Sequence, residues 1–397
     1  MSGPLEDIRI LDLSWVLAGP FCTMHLSDLG AEVIKLERPN VGDLARGNGP
    51  FIDGESSYFM SINRGKKSIT IDLQTEKGKE LFLKLMQKVD VIVENFVPGT
   101  MKRLGLDYDA VKEYNPRIIY ASLSGFGQSG PHAQNRALDV IIQAAGGLMS
   151  ITGETGGPPI KPGASIGDLT AGLFTAIGIL AALHEREKSG KGQYIDISML
   201  DCQLSILENA FARYFATGEI PKRLGTRHAV YTPFQAFETK DGYIVIAMVG
   251  GVRNQWPLFC AIIGRLELMD DERYQTGASR TEHYDELATI LEEVLKTKTT
   301  NEWIKELSEV GIPCGPINNI AEVAADPQVE HRNMIIDVPH PKLGKVKMIN
   351  TPVKLSRTPG SVKASAPELG QDTREILVEL LGLNEHEINE LNDSGII

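Results

Sequence analysis

Cysteine is scarce in this chain, with four among 397 residues. Cys22, Cys202, Cys260 and Cys314 are scattered without a paired spacing, which excludes a disulfide scaffold or zinc finger and fits a reducing compartment. His25, His132, His184 and His228 show no ligand spacing either, so no metal site is expected. Long apolar runs are also missing. The longest, Leu169 to Leu183, stops about five residues short of a membrane span and is expected to be a buried core helix. The start, Met-Ser-Gly-Pro-Leu-Glu-Asp, lacks the basic and then apolar order of a signal peptide and the Arg-rich character of a transit peptide, so a cytoplasmic protein is expected. There is no excess of positive charge. A net charge of -12 argues against nucleic acid or a membrane surface as partner, while leaving room for local basic patches that hold a small polyanion. The motif G-x-G-x-x-G is absent, which demotes an NAD-dependent oxidoreductase. Leu123-Ser124-Gly125-Phe126-Gly127 has the wrong order for a G-x-S-x-G elbow, which argues against a serine hydrolase.

What is present is an alternation of short β-branched runs with longer helical ones. Ile8 to Leu13, Glu32 to Leu36, Lys67 to Leu73, Asp90 to Glu94, Arg117 to Leu123 and Gln193 to Ser198 read as strands. Between them, stretches such as Glu76 to Lys88 carry apolar residues at helical spacing, so the fold class is α/β with a largely parallel sheet. The length suggests two domains. Residues 1–200 read as the first part of a large domain, 201–228 as a linker, 229–325 as a small α+β domain and 326–397 as a return to the large one.

One residue stands at a chemically marked place. Asp168 lies between the flexible run Lys161 to Gly167 and the apolar stretch that follows, where a helix should begin. Ser165 and Asp168 read as a capping box, with Gly190 and Gly192 as the stop. A carboxylate there would face unpaired N–H groups and the helix dipole, which predicts an ionised group. The same pattern serves an ordinary cap equally well. Upstream, the first strand ends in Ser14-Trp15-Val16-Leu17-Ala18-Gly19-Pro20, like the turn of a nucleotide-binding βαβ unit, with Pro20 suited to a first helical turn. Arg38, Arg64, Lys66, Lys67, Lys102, Arg103 and Arg136 supply positive charge in the same half, as phosphate contacts or as solvated surface.

Taken together, seven segments resemble the class III CoA-transferases, the formyl-CoA transferase and carnitine CoA-transferase family. They are Val16-Leu17-Ala18-Gly19-Pro20, Leu29-Gly30-Ala31-Glu32-Val33-Ile34-Lys35-Leu36-Glu37, Val93-Glu94-Asn95-Phe96, Ser124-Gly125-Phe126-Gly127, Gly167-Asp168, Gly311-Ile312-Pro313-Cys314-Gly315-Pro316 and Leu369-Gly370-Gln371. The resemblance implies a Rossmann-like large domain, a small domain, and two chains interlocked as a homodimer. It implies Asp168 as the catalytic nucleophile, passing through an anhydride and an aspartyl-CoA thioester. Val16, Leu17, Arg38, Ile71, Gln74, Asn95, Phe96, Arg103, Arg136 and Met199 are implied as the CoA-binding set. Acyl-CoA and a small carboxylic acid are then the substrates, with no permanently bound cofactor.

Departures narrow the substrate. The formyl-CoA branch carries glutamine, tryptophan and tyrosine where this chain has Leu17, Asn48 and Leu138, and a longer glycine-rich loop where it has only Gly250-Gly251. The stretch from Gly225 to Val245 looks closer to a branch that moves CoA between dicarboxylates such as succinate and hydroxymethylglutarate, making succinyl-CoA a candidate donor. Two alternatives stand beside this reading. One is an α-methylacyl-CoA racemase, whose histidine partner base is replaced here by the Leu of Leu138-Asp139. The other is a CoA-binding protein without catalysis.

Overall fold

The computed structural model describes residues 3–249 and 255–397. Two compact units emerge. One comprises the chain up to Leu148, Lys161–Glu219 and Gln328–Ile397; the other comprises Met149–Ile160 and Ile220–Pro327.

The first unit holds β1 (Arg9–Asp12), β2 (Glu32–Glu37), the short pair β3 (Phe51–Ile52) and β4 (Glu55–Ser56), β5 (Lys67–Thr70), β6 (Val91–Glu94), β7 (Ile119–Ser124) and β8 (Tyr194–Ser198). Apart from β3 and β4 these form one six-stranded sheet in the order β5-β2-β1-β6-β7-β8, parallel at every pairing. The near-continuous apolar character of the inner strands follows from burial on both faces. Ile10 and Val91 pack beneath Cys22, Leu26, Ile179 and Leu183, while Leu11 and Ile92 pack against Leu81, Phe82, Leu85 and Ile376. Chain order runs outward from β1 through β2 to β5 on one side and from β6 through β7 to β8 on the other. The sheet therefore has a topological switch point between β1 and β6, where α/β sheets open a crevice at their C-terminal edge.

The helix that carries Asp168 spans Ile166–Ser189, 24 residues. Its buried face, Ala171, Gly172, Thr175, Ala176, Ile179, Ala182 and Leu183, lies on the sheet and the Ala18–Asp28 helix. Gly172 is needed there, since a Cβ would stand 2.6 Å from the Ala18 carbonyl oxygen. The expectation of a wholly buried helix is corrected. Leu173, Ile177 and Leu180 on the opposite side are exposed within the chain, because its sequence is apolar all round while the sheet covers only one side.

The C-terminal segment closes the β5 edge. Asp372 accepts from the Ser68 amide at 2.7 Å, Thr373 from the Thr70 amide at 3.0 Å, and the Ile396 carbonyl from the Asp72 amide at 2.7 Å. An unpaired edge is thereby covered. The same segment carries the hairpin β12 (Ile335–His340) and β13 (Gly344–Ile349).

In the second unit, β9 (Phe234–Glu238), β10 (Tyr243–Ala247) and β11 (Cys314–Pro316) make an antiparallel sheet. Helices Tyr284–Leu295 and Thr300–Glu309 contribute Leu287, Leu291, Leu295, Trp303 and Leu307 to its core. The Thr299–Glu302 capping box, with both reciprocal bonds made, starts the second of these.

Candidate active site

At the switch point, the strand ends enclose a cleft of about 300 Å³. Leu13 and Trp15 follow β1, Leu36 and Arg38 end or follow β2, Ile71 to Gln74 follow β5, and Phe96 follows β6; Thr100, Arg103 and Leu104 complete the wall. Its floor is apolar and its rim carries two guanidinium groups, a composition suited to a flat ring and anionic phosphates. Trp15 and Phe96 meet edge to face at 5.8 Å. Arg38 is exposed and has no ion pair among the described residues, and Arg103 reaches only the Thr100 hydroxyl, at 3.0 Å.

The turn after β1 is held by the last residue of that strand and by side chains from two other places in the fold. The Ser14 amide donates to Asp12 at 2.9 Å, and the Trp15 amide to Asn95 Oδ1 at 2.8 Å, while Asn95 Nδ2 returns a bond to the Trp15 carbonyl at 2.8 Å. The Val16 amide donates to Asp43. Val16 has φ 67°, costly for a β-branched residue at roughly 1–3 kcal/mol. Helix Ala18–Asp28 begins immediately afterwards with no side-chain cap, so its first N–H groups are open.

Asp168 occupies the first turn of the long helix, one turn before the contact between Gly172 and Ala18. The expected capping box is not formed: Ser165 is the N-cap residue but makes no side-chain cap bond. Asp139 takes that role from another helix, accepting from the Gly167 amide at 2.9 Å and the Asp168 amide at 3.4 Å. Gln143, at 2.7 Å, and Lys161, at 3.8 Å, hold the other Asp139 oxygen. No hydrogen bond or ion pair reaches the Asp168 carboxylate among the described residues. Burial, and then the negative charge of Asp139, raise it to about 7, which corrects the expectation that the helix terminus keeps it firmly ionised. Tyr58 shares this surrounding. Burial and the charges of Asp168, Asp43 and Asp139 push its hydroxyl up to about 12, so it is a neutral donor.

The site thus combines a half-buried carboxylate raised to about 7 with a cleft at the switch point that carries two guanidinium groups, and the comparisons with known proteins give it a family. The profile described as CoA-transferase family III covers residues 5–373. The chain belongs to that family. This transferase is 42% identical to human succinyl-CoA:glutarate CoA-transferase over 395 residues, 99% of this chain and 90% of that protein. It is 40% identical to succinyl-CoA:mesaconate CoA-transferase of Haloarcula hispanica over 387 residues, 95% of this chain and 96% of the other. A solved CAIB/BAIF family protein from Brucella suis superposes with a TM-score of 0.86 at 38% identity, covering 96% of the transferase and all of that chain.

Of the site residues expected from sequence, Arg38, Ile71, Gln74, Phe96 and Arg103 come together in the cleft. Val16, Leu17 and Asn95 form or hold the turn beside it, with Asn95 spending its amide on Trp15. Met199 packs with Ala18, Ile142, Ala171 and Cys202 near the start of the long helix. Arg136 is exposed and outside the cleft lining. Gly250-Gly251 lie outside the described residues. Sequence reasoning missed Trp15 and Thr100 as cleft walls and Asp43, Lys35, Tyr58 and Asp139 as supports of the site. The aromatic at Trp15, directly after a strand, was a usable signal; the others carry none locally.

Proposed function

We propose that this transferase moves CoA from an acyl-CoA, with succinyl-CoA as the candidate donor, to a free dicarboxylic acid, and that Asp168 is its nucleophile. The observation that carries the reading is the unpartnered Asp168 carboxylate, whose capping duty is done by Asp139. A carboxylate tied to its own helix terminus is a poor nucleophile; this one is free to attack carbon. Asp168 attacks the thioester carbonyl, the C–S bond breaks, and a mixed anhydride and CoA thiolate result. The thiolate then attacks the aspartyl carbonyl and expels the donor carboxylate, leaving an aspartyl-CoA thioester. The acceptor carboxylate reverses both steps. The open first turn of the Ala18–Asp28 helix and the neutral Tyr58 hydroxyl then supply donors for the developing oxyanions.

Arg38 and Arg103 then bind phosphates of CoA, with Ile71, Gln74 and Phe96 around the adenine end. Dicarboxylate acceptors are supported by the names of the glutarate and mesaconate relatives. An interlocked homodimer is supported by the apolar stripe Leu173, Ile177 and Leu180, together with Phe215 on the helix Glu208–Thr217, which has no buried residue within the chain. The test is covalent. Incubation with succinyl-CoA followed by hydroxylamine should convert Asp168 to its hydroxamate, and Asp168→Asn should lose transfer by at least about 10³-fold. A hydroxamate on another residue, or none during turnover, overturns the mechanism.

A further inference from the structure

The left-handed turn at Val16 is held by a carboxylate that lies far from it in sequence. Both oxygens of Asp43 accept from the Val16 amide, at 3.0 and 3.3 Å. Asp43 is itself held on every side. Its own amide donates to Glu37 at 2.9 Å, its Oδ1 accepts from the Ala45 amide at 2.9 Å, and its Oδ2 pairs with Lys35 at 2.9 Å. The side chains of Lys35 and Asp43 are wholly buried, and Lys35 also donates to the Ser14 carbonyl at 2.7 Å. One ammonium and one carboxylate therefore grip the turn at its two ends, Ser14 and Val16.

A capping role does not account for this. Asp43 does cap the short helix Leu44–Gly47, but that uses one oxygen, and a Ser or Asn would serve. The buried lysine and the bonds to Val16 go beyond it. What the grip controls is direction: Val16 turns the chain from the cleft wall at Trp15 into the open first turn of the Ala18–Asp28 helix, which abuts the Asp168 helix.

We propose that Asp43, supported by Lys35, is a positioning residue for the acyl-CoA substrate, keeping Val16 left-handed so that the turn and the helix start behind it meet the CoA thioester. The proposal rests on the reading that CoA occupies the cleft. Asp43→Asn keeps an acceptor but removes the second oxygen and the charge, so KM for acyl-CoA should rise about tenfold. KM for the acid acceptor should stay near its starting value.

Because Asp43→Asn also removes the carboxylate in contact with buried Lys35, leaving it the more distant charges of Asp12 and Glu37, stability will fall, and a second variant separates the two effects. The pair Lys35→Met with Asp43→Leu removes both charges, which restores much of the melting temperature, but it cannot hold the Val16 amide. Its KM for acyl-CoA should stay raised. Recovery of KM together with melting temperature, or an unchanged KM in both variants, overturns the proposal. Arg38→Ala, measured by equilibrium binding of free CoA, identifies which reading failed. Weakened binding there with unchanged KM in the Asp43 variants rejects the clamp alone. Unchanged binding in Arg38→Ala rejects the cleft reading and the clamp with it.

Discussion

Asp12 ends β1 and Asp168 opens the long helix, and both are carboxylates drawn out of water in the same unit. Asp12 is the more deeply buried, with no exposure at all. Burial acts to raise it, yet Lys66 at 2.8 Å, the charge of Lys35 and the Ser14 hydroxyl outweigh that and hold it well below the usual carboxylate range, and the Thr23 hydroxyl donates to it as well. Asp168 is only half-buried, yet rises to about 7. Burial raises both groups, so depth alone does not decide the outcome; what differs is whether anything offsets it. A desolvated carboxylate stays charged where cations and donors face it, and drifts toward neutrality where its neighbour is another carboxylate. The first arrangement ties the carboxylate into the turn after β1; the second leaves it without a bond among the described residues.

The comparison breaks most visibly at Lys66. Lys66→Met leaves Asp12 without its contacting cation and should cost about 3–5 kcal/mol of stability, read by urea unfolding. Adding Asp12→Asn should recover most of that. A single variant as stable as the parent would mean that Lys35 and the hydroxyls suffice.

At Asp168 the sign reverses. Its folded pKa of about 7 lies above the ordinary 3.8, so the folded protein binds more protons between those values. The group therefore costs stability progressively as pH rises through that window, with the full penalty present above 7. Asp168→Asn should make the protein more stable at pH 8, by roughly 1–3 kcal/mol once partial exposure is allowed for, and the gain should shrink toward pH 5. A loss of stability at pH 8 would show that the carboxylate has a favourable partner in the folded chain.

The smallest effect is the most specific. If Asp168 is the nucleophile proposed above, kcat/KM for acyl-CoA in the parent should rise with pH to a plateau with an inflection near 7, as its carboxyl ionises. Asp139→Asn removes the nearby negative charge while its amide oxygen can still accept from Gly167. The inflection should move down, but not to the ordinary carboxylate range, since burial is the larger cause. An unmoved inflection would assign the shift to burial alone.

Much of the fold was readable because it is written locally. All six strands of the parallel sheet fall where the β-branched runs stand, and the helical spacing from Glu76 to Lys88 becomes the helix Glu76–Met86. The helix Glu385–Asp393 was not anticipated, since its short apolar pattern of Ile388 and Leu391 lies in a strongly polar stretch. Half of the expected CoA set reached one cleft: Arg38, Ile71, Gln74 and Phe96 follow strands that end at the same edge, and Arg103 joins them from the helix Thr100–Leu104. Arg136 did not, since it stands in an exposed segment that no strand end positions.

The sequence by itself determined the strand and helix periods, the break before Asp168, and the motif order that marks the family. Periodicity and turn chemistry act over a few residues, and such signals survive without a folded context. Which carboxylate caps and which is left bare was decided only in three dimensions. Asp139 reaches Gly167 across 28 residues, Asn95 reaches Trp15 across 80, and Asp43 reaches Val16 across 27. Ser165 had the right spacing to cap the long helix, but Asp139 accepts from those N–H groups instead and leaves the Asp168 carboxylate unbonded among the described residues. An ionisable group's state depends on what surrounds it in space, and that surrounding does not exist until the chain has folded.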